Sequence, residues 1–312
     1  MARTNGNDTG RRTSSTTLRL GTRSSRLALA QAEIVRRQLA AAGVTCRIIE
    51  ISTIGDQDQT RAISEFATSS PFTDDIELAL RRGDIDIAVH SLKDMSLTPT
   101  GDLHVAAILE RADPRESLVS HGDVSFDALP RGAVIGTSCA RRAAQIRYLR
   151  PDLKTANIRG AVDDRIRQVR AGRFDAAILA IAGLDRSGLS SDAAEIFSLD
   201  RFVPAPAQAA LAIQIRANDD ATRRLIEPLD HGPTRKTVSA ELALLAHFEH
   251  RDDITIAAVA DTTDGVRMRV RVLRTDGRPV LESVFAGNNG ASVTQRAIER
   301  IEETLIQRKA AV

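Results

Sequence analysis

Three observations predict an α/β fold with a smaller α+β part at the C-terminal end of this 312-residue chain. Leu18 to Ile51 reads as strand, helix, strand. Ala133 to Leu179 repeats that alternation, each strand followed at once by small or polar residues. From about Thr237 the pattern changes to one helix, three alternating strands and a last helix.

Leu18 to Gly21 is a short apolar strand, Ser24-Ser25 offers caps for the amphipathic run Leu27 to Ala41, and Cys46 to Ile51 alternates as a second strand. Phe72 to Arg81 has helical spacing and Gly83 ends it; Ile85 to Val89 is an apolar strand leading into His90. Strands at Ala133 to Ile135 and Ala176 to Leu179 go with helices at Cys139 to Leu149 and Val162 to Ala171. Pro204 to Gln208 reads as a loop passing back toward the first lobe before the apolar run Ala210 to Ile215, so two crossings between lobes predict a hinge. The last part reads as helix Val238 to His247, strands Ile254 to Ala260, Val266 to Arg274 and Val280 to Phe285, and helix Ser292 to Gln307.

Composition excludes several classes. With 43 basic and 41 acidic residues the net charge of +2 predicts neither a nucleic-acid nor a membrane partner. The two cysteines, Cys46 and Cys139, stand far apart in no metal-like spacing, which fits a reducing cytoplasmic compartment and excludes a disulfide framework. Residues 1–16 are polar and carry Arg11-Arg12 without a following apolar run, so they read as a disordered tail and not as an export signal. No stretch approaches the roughly 20 apolar residues that span a bilayer.

Chemistry concentrates at strand ends. Only four lysines accompany 39 arginines, so Lys93 beside Asp94, just past the strand that ends near His90, stands out. A carboxylate there can stabilise a developing cation or exchange a proton, while the ammonium holds an anion; the competing reading is a solvated pair in a loop. Gly136-Thr137-Ser138-Cys139-Ala140-Arg141-Arg142 places a strand-to-helix turn and two guanidiniums where a carboxylate or phosphate would sit. Arg159-Gly160 and Arg165 lie near the next such turn, with exposed helix arginines as the competing reading. His90 reads as a hydrogen-bonded structural histidine sooner than a proton carrier. No metal cluster, nucleophile triad, Walker loop or GxGxxG fingerprint is present.

Six blocks in order carry a resemblance: Leu18 to Ala28 (LRLGTRSSRLA), Ala88 to Asp94 (AVHSLKD), Gly136 to Arg142 (GTSCARR), Asn157 to Gly160 (NIRG), Ala180 to Leu184 (AIAGL) and Val203 to Gln208 (VPAPAQ). In these the chain resembles the hydroxymethylbilane synthase, or porphobilinogen deaminase, family from Leu18 to the C-terminal helix. The resemblance implies two hinged α/β domains like type II periplasmic binding proteins plus the smaller α+β C-terminal domain, with an active cleft between the first two. The expected division is a tail at 1–16, a first domain from 17–112 and 208–228, a second at 113–207 and a third at 233–312. It further implies a cytoplasmic monomer of tetrapyrrole biosynthesis that condenses porphobilinogen head to tail, with loss of ammonia, toward hydroxymethylbilane.

By the same resemblance Asp94 matches the catalytic aspartate, which supports loss of the amine and stabilises the azafulvene-like cation. Arg23, Ser25, Lys93, Arg141, Arg142, Arg159 and Arg165 match residues that bind acetate and propionate groups; Gln208, in the last block, and Phe72, the one residue kept in an otherwise altered segment, are expected to bind substrate with them. The family carries a dipyrromethane cofactor on a third-domain cysteine, but here Asp252 stands at that position and cannot form the thioether. The family's Gly-Gly-Lys-Gly-Leu-Phe segment becomes Ala67 to Phe72 (ATSSPF), and glycines beside Gln208 become Ala207 and Ala209. These departures keep a second expectation open, a cofactor-less paralogue that binds a pyrrole or other carboxylated ligand without polymerising it. A periplasmic solute-binding protein is disfavoured for want of an export signal.

Overall fold

The computed structural model describes residues 17–57, 70–98 and 101–310. The expected tail at 1–16 and the altered residues 67–69 lie outside them.

β1 (Leu18–Arg23), α1 (Arg26–Ala41) and β2 (Cys46–Ile51) form the predicted opening, β1 and β2 pairing in parallel from Leu18 opposite Cys46. The Ser25 side chain caps α1 by accepting the Ala28 N–H at 3.3 Å. Ala28, Ala32, Val35 and Leu39 recur at helical spacing and are buried. Complete burial of a leucine such as Leu39 contributes about 1.5–3 kcal/mol.

A short α2 (Ile54–Gln57) precedes the undescribed segment, and α3 (Asp74–Arg82) follows it. The expected helix start at Phe72 is corrected: Phe72 lies in the turn before α3, and Gly83 closes the helix at φ 75. β3 (Ile87–Ser91) runs parallel to β1, and Leu92–Asp94 forms a 3-10 turn at its end. β4 (Leu103–Ile108) completes the first pass through this lobe.

The chain then crosses to a second five-stranded sheet. Its elements are β5 (Glu116–Ser120), β6 (Val134–Gly136), α4 (Ala140–Leu149), β7 (Lys154–Ala156), α5 (Val162–Arg170), β8 (Ala176–Ala180), α6 (Ile181–Ser187) and β9 (Glu195–Ile196). It crosses back through 203–210 into β10 (Leu211–Arg216), followed by α7 (Asp220–Ile226). The sheet orders are β2-β1-β3-β10-β4 and β7-β6-β8-β5-β9. Each therefore has four strands running one way and one strand against them, β10 or β5, that the chain delivers straight after a crossing.

The third sheet is antiparallel, β11 (Ile254–Asp261), β12 (Val266–Arg274) and β13 (Pro279–Gly287), packed on α8 (Gly232–His247) and α9 (Gly290–Ala310). α8 starts before the expected Val238, because Pro233 near its first turn needs no hydrogen-bond acceptor and the His231 ring accepts the Thr234 N–H. The fold is thus α/β with two five-stranded mixed sheets and a smaller α+β unit. Among the described residues no helix is long and apolar enough to cross a membrane.

Candidate active site

The cleft is built at strand ends, where an α/β sheet stops and side chains project beyond it. β1 ends on Arg23, β3 delivers Lys93 and Asp94, β6 runs into the 137–142 turn, and β7 leads to Arg159 and α5. Arg165 senses Arg142, Arg159, Asp94 and Cys139, and Lys93 senses Asp94, Arg142, Arg141 and Glu116, so groups from both lobes share one electrostatic neighbourhood.

Asp94 is half-buried and lines a recess with Arg23, Ser25, Phe72 and His90. Among the described residues no hydrogen bond or ion pair occupies its carboxylate, which leaves it available to a ligand. Lys93 is different. Its Nζ donates to Gln208 Oε1 at 3.0 Å, and Gln208 Nε2 donates to the Pro114 carbonyl at 2.9 Å. Gln208, fully buried, thus holds Lys93 while joining the two crossing segments. Burial pushes the Lys93 ammonium below its ordinary value, with Asp94 opposing and Arg142 adding to that shift.

Arg23 forks onto Asp56, with Nε at 3.0 Å from Oδ2, and its guanidinium carbon lies 4.2 Å from the centre of the Phe72 ring. Ser25 is spent on the α1 cap but still lines the recess. His90 is 4% exposed, and its Nε2 meets Gln214 Oε1 at 3.1 Å. Burial lowers it to about 4, so it is neutral at physiological pH and serves as a structural histidine.

Arg141 and Arg142 are more enclosed than a simple anion cradle implies. Both are 8% exposed. Glu116 Oε1 accepts Arg141 Nη2 at 2.8 Å and Arg142 Nε at 3.0 Å, while Glu116 Oε2 accepts Arg142 Nη2 at 2.7 Å. Arg141 Nη1 also donates to the Val203 carbonyl and Arg142 Nη1 to that of Ile178, both at 2.9 Å. Burial works against the Glu116 carboxylate, but Arg142 and Arg141 hold it far below the usual range. One carboxylate against two guanidiniums leaves an excess positive charge facing Lys93 and Arg165.

Arg165 donates from Nε to the Gly160 carbonyl at 2.9 Å and forms no ion pair among the described residues. Burial first, then Arg142 and Arg159, push its guanidinium down to about 10. Gly160, at φ 107, makes the bend that carries the chain from Arg159 into α5; only glycine tolerates it well. Arg159 is half-buried in this cluster. Cys139 is the N-terminal cap residue of α4, and its N–H donates to Thr137 Oγ1 at 3.2 Å.

Asp252 is exposed in the turn between α8 and β11. Its neighbour Asp253 takes Arg251 Nε at 2.7 Å and Arg274 Nη1 at 2.5 Å. Among the described residues no group of three or more His, Cys, Asp and Glu side chains could hold a metal ion.

Sequence reasoning missed two residues. Glu116, fully buried, anchors the arginine pair, and Glu241, also fully buried, binds Arg111 through both oxygens. Glu241 further accepts the N–H groups of Ala207 and Ala260, each at 2.7 Å, so it joins both crossing segments to the third sheet. A signal was present for Glu116: it is an acid at the head of an otherwise uncharged strand, in a chain with an arginine pair lacking a local counter-ion.

Residues 18–224 match the model of the porphobilinogen deaminase family described as its dipyromethane cofactor binding domain. A porphobilinogen deaminase of Roseiflexus sp. (strain RS-1) is 40% identical over 267 residues, 85% of this chain and 88% of that one. One from Sphingopyxis alaskensis is 42% identical over 269 residues, 83% of this chain and 85% of that one. Among solved structures, the methionine-binding protein MetQ aligns over 73% of this chain and 93% of its own, with 13% identity and a TM-score of 0.44. By the family match and by identities of this size along most of its length, the chain belongs to the porphobilinogen deaminase family.

Proposed function

We propose that the protein is a porphobilinogen deaminase-type transferase of tetrapyrrole biosynthesis, condensing porphobilinogen head to tail with loss of ammonia toward hydroxymethylbilane. The observation that carries the reading is Asp94: a half-buried carboxylate with no partner among the described residues, set against a surplus of cations. Porphobilinogen presents the complementary charges, two carboxylates on the ring and an aminomethyl group whose loss leaves a cation. Asp94 accepts the pyrrole N–H and offsets the positive charge that develops as the amine departs. Lys93, Arg159 and Arg165 take the carboxylates, and Arg141 and Arg142 bias the same wall positively while bound to Glu116. Arg23, Ser25 and Phe72 shape the recess beside Asp94, and Gln208 acts through Lys93.

Dipyrromethane, when bound, supplies the free pyrrole carbon at which the chain is extended. The donor set fits its carboxylates, because Arg165 has no counter-ion among the described residues and is destabilised by its neighbours. It does not fit at Asp252, where a carboxylate stands in place of a thiol. The reading keeps the division 17–112 with 208–228, 113–207 and 233–312, supported by three separate sheets. It also takes the protein as a cytoplasmic monomer with no nucleic-acid or membrane partner; the near-balanced charge supports the last of these.

The test is ammonia and tetrapyrrole release from porphobilinogen by the purified chain and by Asp94→Ala. The wild type should turn over, and the variant should lose about 10²–10⁴-fold in rate while still binding porphobilinogen. A wild type that binds without releasing ammonia would make the protein a pyrrole-binding paralogue. Unchanged turnover in the variant would remove Asp94 from the mechanism.

A further inference from the structure

A cavity of about 310 Å³ lies outside the cleft, between the two crossings and the third sheet. Arg111 and Pro114 come to it from the first crossing, Leu199 and Asp200 from just before the second, and the remaining wall is β11 and β12. It shares no residue with the recess around Asp94. Its size stands at the lower end of the roughly 300–1,000 Å³ that small-molecule sites occupy.

The charge of the wall follows from β12, where Arg267, Arg269 and Arg271 are spaced two residues apart and so project from one face of the strand. Each meets different neighbours. Arg271 lies opposite Glu282 of β13 and donates to it at 2.7 Å. Arg269, half-buried, lies opposite Val259 and Val284, so neither adjoining strand offers it an acid at its own level. Arg267 lies opposite Asp261, yet no ion pair joins them. Among the described residues neither Arg267 nor Arg269 has a hydrogen bond or an ion pair, although both line the cavity. Arg111, the third guanidinium in the wall, is taken by Glu241 at 2.6 Å.

Two acids share the same wall. Ser198 hydrogen-bonds Asp200, on which Arg269 acts from beyond ion-pair distance, and Asp261 accepts the Thr263 N–H at 3.3 Å. These acids repel a dense polyanion such as a triphosphate. Two guanidiniums whose strand positions are about 7 Å apart suit two separate carboxylates instead. Pro114, Leu199 and Val259 offer an apolar surface to whatever frame connects them.

We propose that this cavity is a second ligand site, taking a small dicarboxylate with an apolar frame whose two carboxylates are held by Arg267 and Arg269. Nothing in it depends on the turnover of porphobilinogen. Porphobilinogen has the required chemistry, with two carboxylates on one ring, and so has a simple aliphatic diacid.

The test is isothermal titration calorimetry on the full chain with two probes. Adipate should bind the wild type, and Arg269→Ala should weaken that binding by about tenfold to a hundredfold, the range for a lost charged hydrogen bond. Arg267→Ala should weaken it too, and because Arg267 is exposed and unpaired its loss leaves the fold intact. Arg269→Lys should recover part of the affinity. Porphobilinogen is titrated into Asp94→Ala, which suppresses turnover, with and without Arg269→Ala added. An equivalent of porphobilinogen lost on that addition makes porphobilinogen itself the ligand. Porphobilinogen binding that Arg269→Ala leaves unchanged, with adipate binding sensitive to it, assigns the site to a different diacid. If the binding of neither probe depends on Arg267 and Arg269, the proposal is overturned.

Discussion

Glu116 and Arg142 form a two-pronged ion pair in the interior, with Arg142 Nε 3.0 Å from Oε1 and Nη2 2.7 Å from Oε2. The acid belongs to β5, just past the first crossing, and the base to α4 beside the cleft wall. The pair therefore connects the hinge side of the second lobe to the electrostatics of the site.

Glu116→Gln should destabilise the protein by about 3–5 kcal/mol, because it leaves two buried guanidiniums without their counter-charge. The pH dependence follows from the lowered Glu116 carboxyl. As pH falls, the unfolded chain takes up this proton first, near about 4.3. The contribution is complete above that value and declines as pH drops toward the folded one. Denaturant titrations between pH 3 and pH 7 should show an acid loss in the wild type that is smaller in the variant.

Ala207 and Ala209 adopt φ 57 and φ 70, a left-handed backbone that costs an L-residue about 1–2 kcal/mol. Glycine at either position would relieve that cost and add back about 0.5–1 kcal/mol of chain entropy. Ala207→Gly and Ala209→Gly should each raise stability by roughly 0.5–1 kcal/mol in denaturant unfolding. A loss of stability would show that the methyl packing of these buried residues outweighs the strain.

Glu241→Ala should cost about 3–5 kcal/mol, since Arg111 and the Ala207 and Ala260 N–H groups would all lose their acceptor. This residue joins both crossings to the third sheet, so the variant should also unfold less cooperatively. Probes placed in the first and third units should give coincident transitions in the wild type and separated ones in the variant.

Arg165→Ala should weaken porphobilinogen binding roughly tenfold to a hundredfold, the range for losing a charged hydrogen-bond partner. The effect should fall more on KM than on kcat. Lysine at the position should restore part of the loss, because it keeps the charge without the planar fork. A KM unchanged in Arg165→Ala would remove this residue from the binding surface.

The fold was legible where one periodicity ruled. β2 and β12 match their expected bounds, Cys46–Ile51 and Val266–Arg274: along most of β12 apolar residues alternate with arginines, and β2 is an apolar run broken by Arg47 and Glu50. β5 was not read, since Glu116-Ser117-Leu118-Val119-Ser120 is buried along its whole length and shows no alternation. β4 and β7 also went unread, and β7 has only three residues. In the site, Lys93, Asp94 and the 136–142 turn were legible because strand ends and turns are local features. The occupation of Arg141 and Arg142 by Glu116 was not, because that acid lies far along the chain and arrives through the first crossing.

β10 lies between β3 and β4 in the first sheet, antiparallel to both. Every strand of the second sheet, by contrast, comes from one unbroken stretch between Glu116 and Ile196. During synthesis the second lobe can thus assemble as soon as it leaves the ribosome. The earlier-made first lobe must wait, with β3 and β4 unjoined, until residue 216 emerges. The order of completion is the reverse of the order of translation, and the exposed edges of β3 and β4 are where a nascent chain of this protein is most open to misassociation and to chaperones.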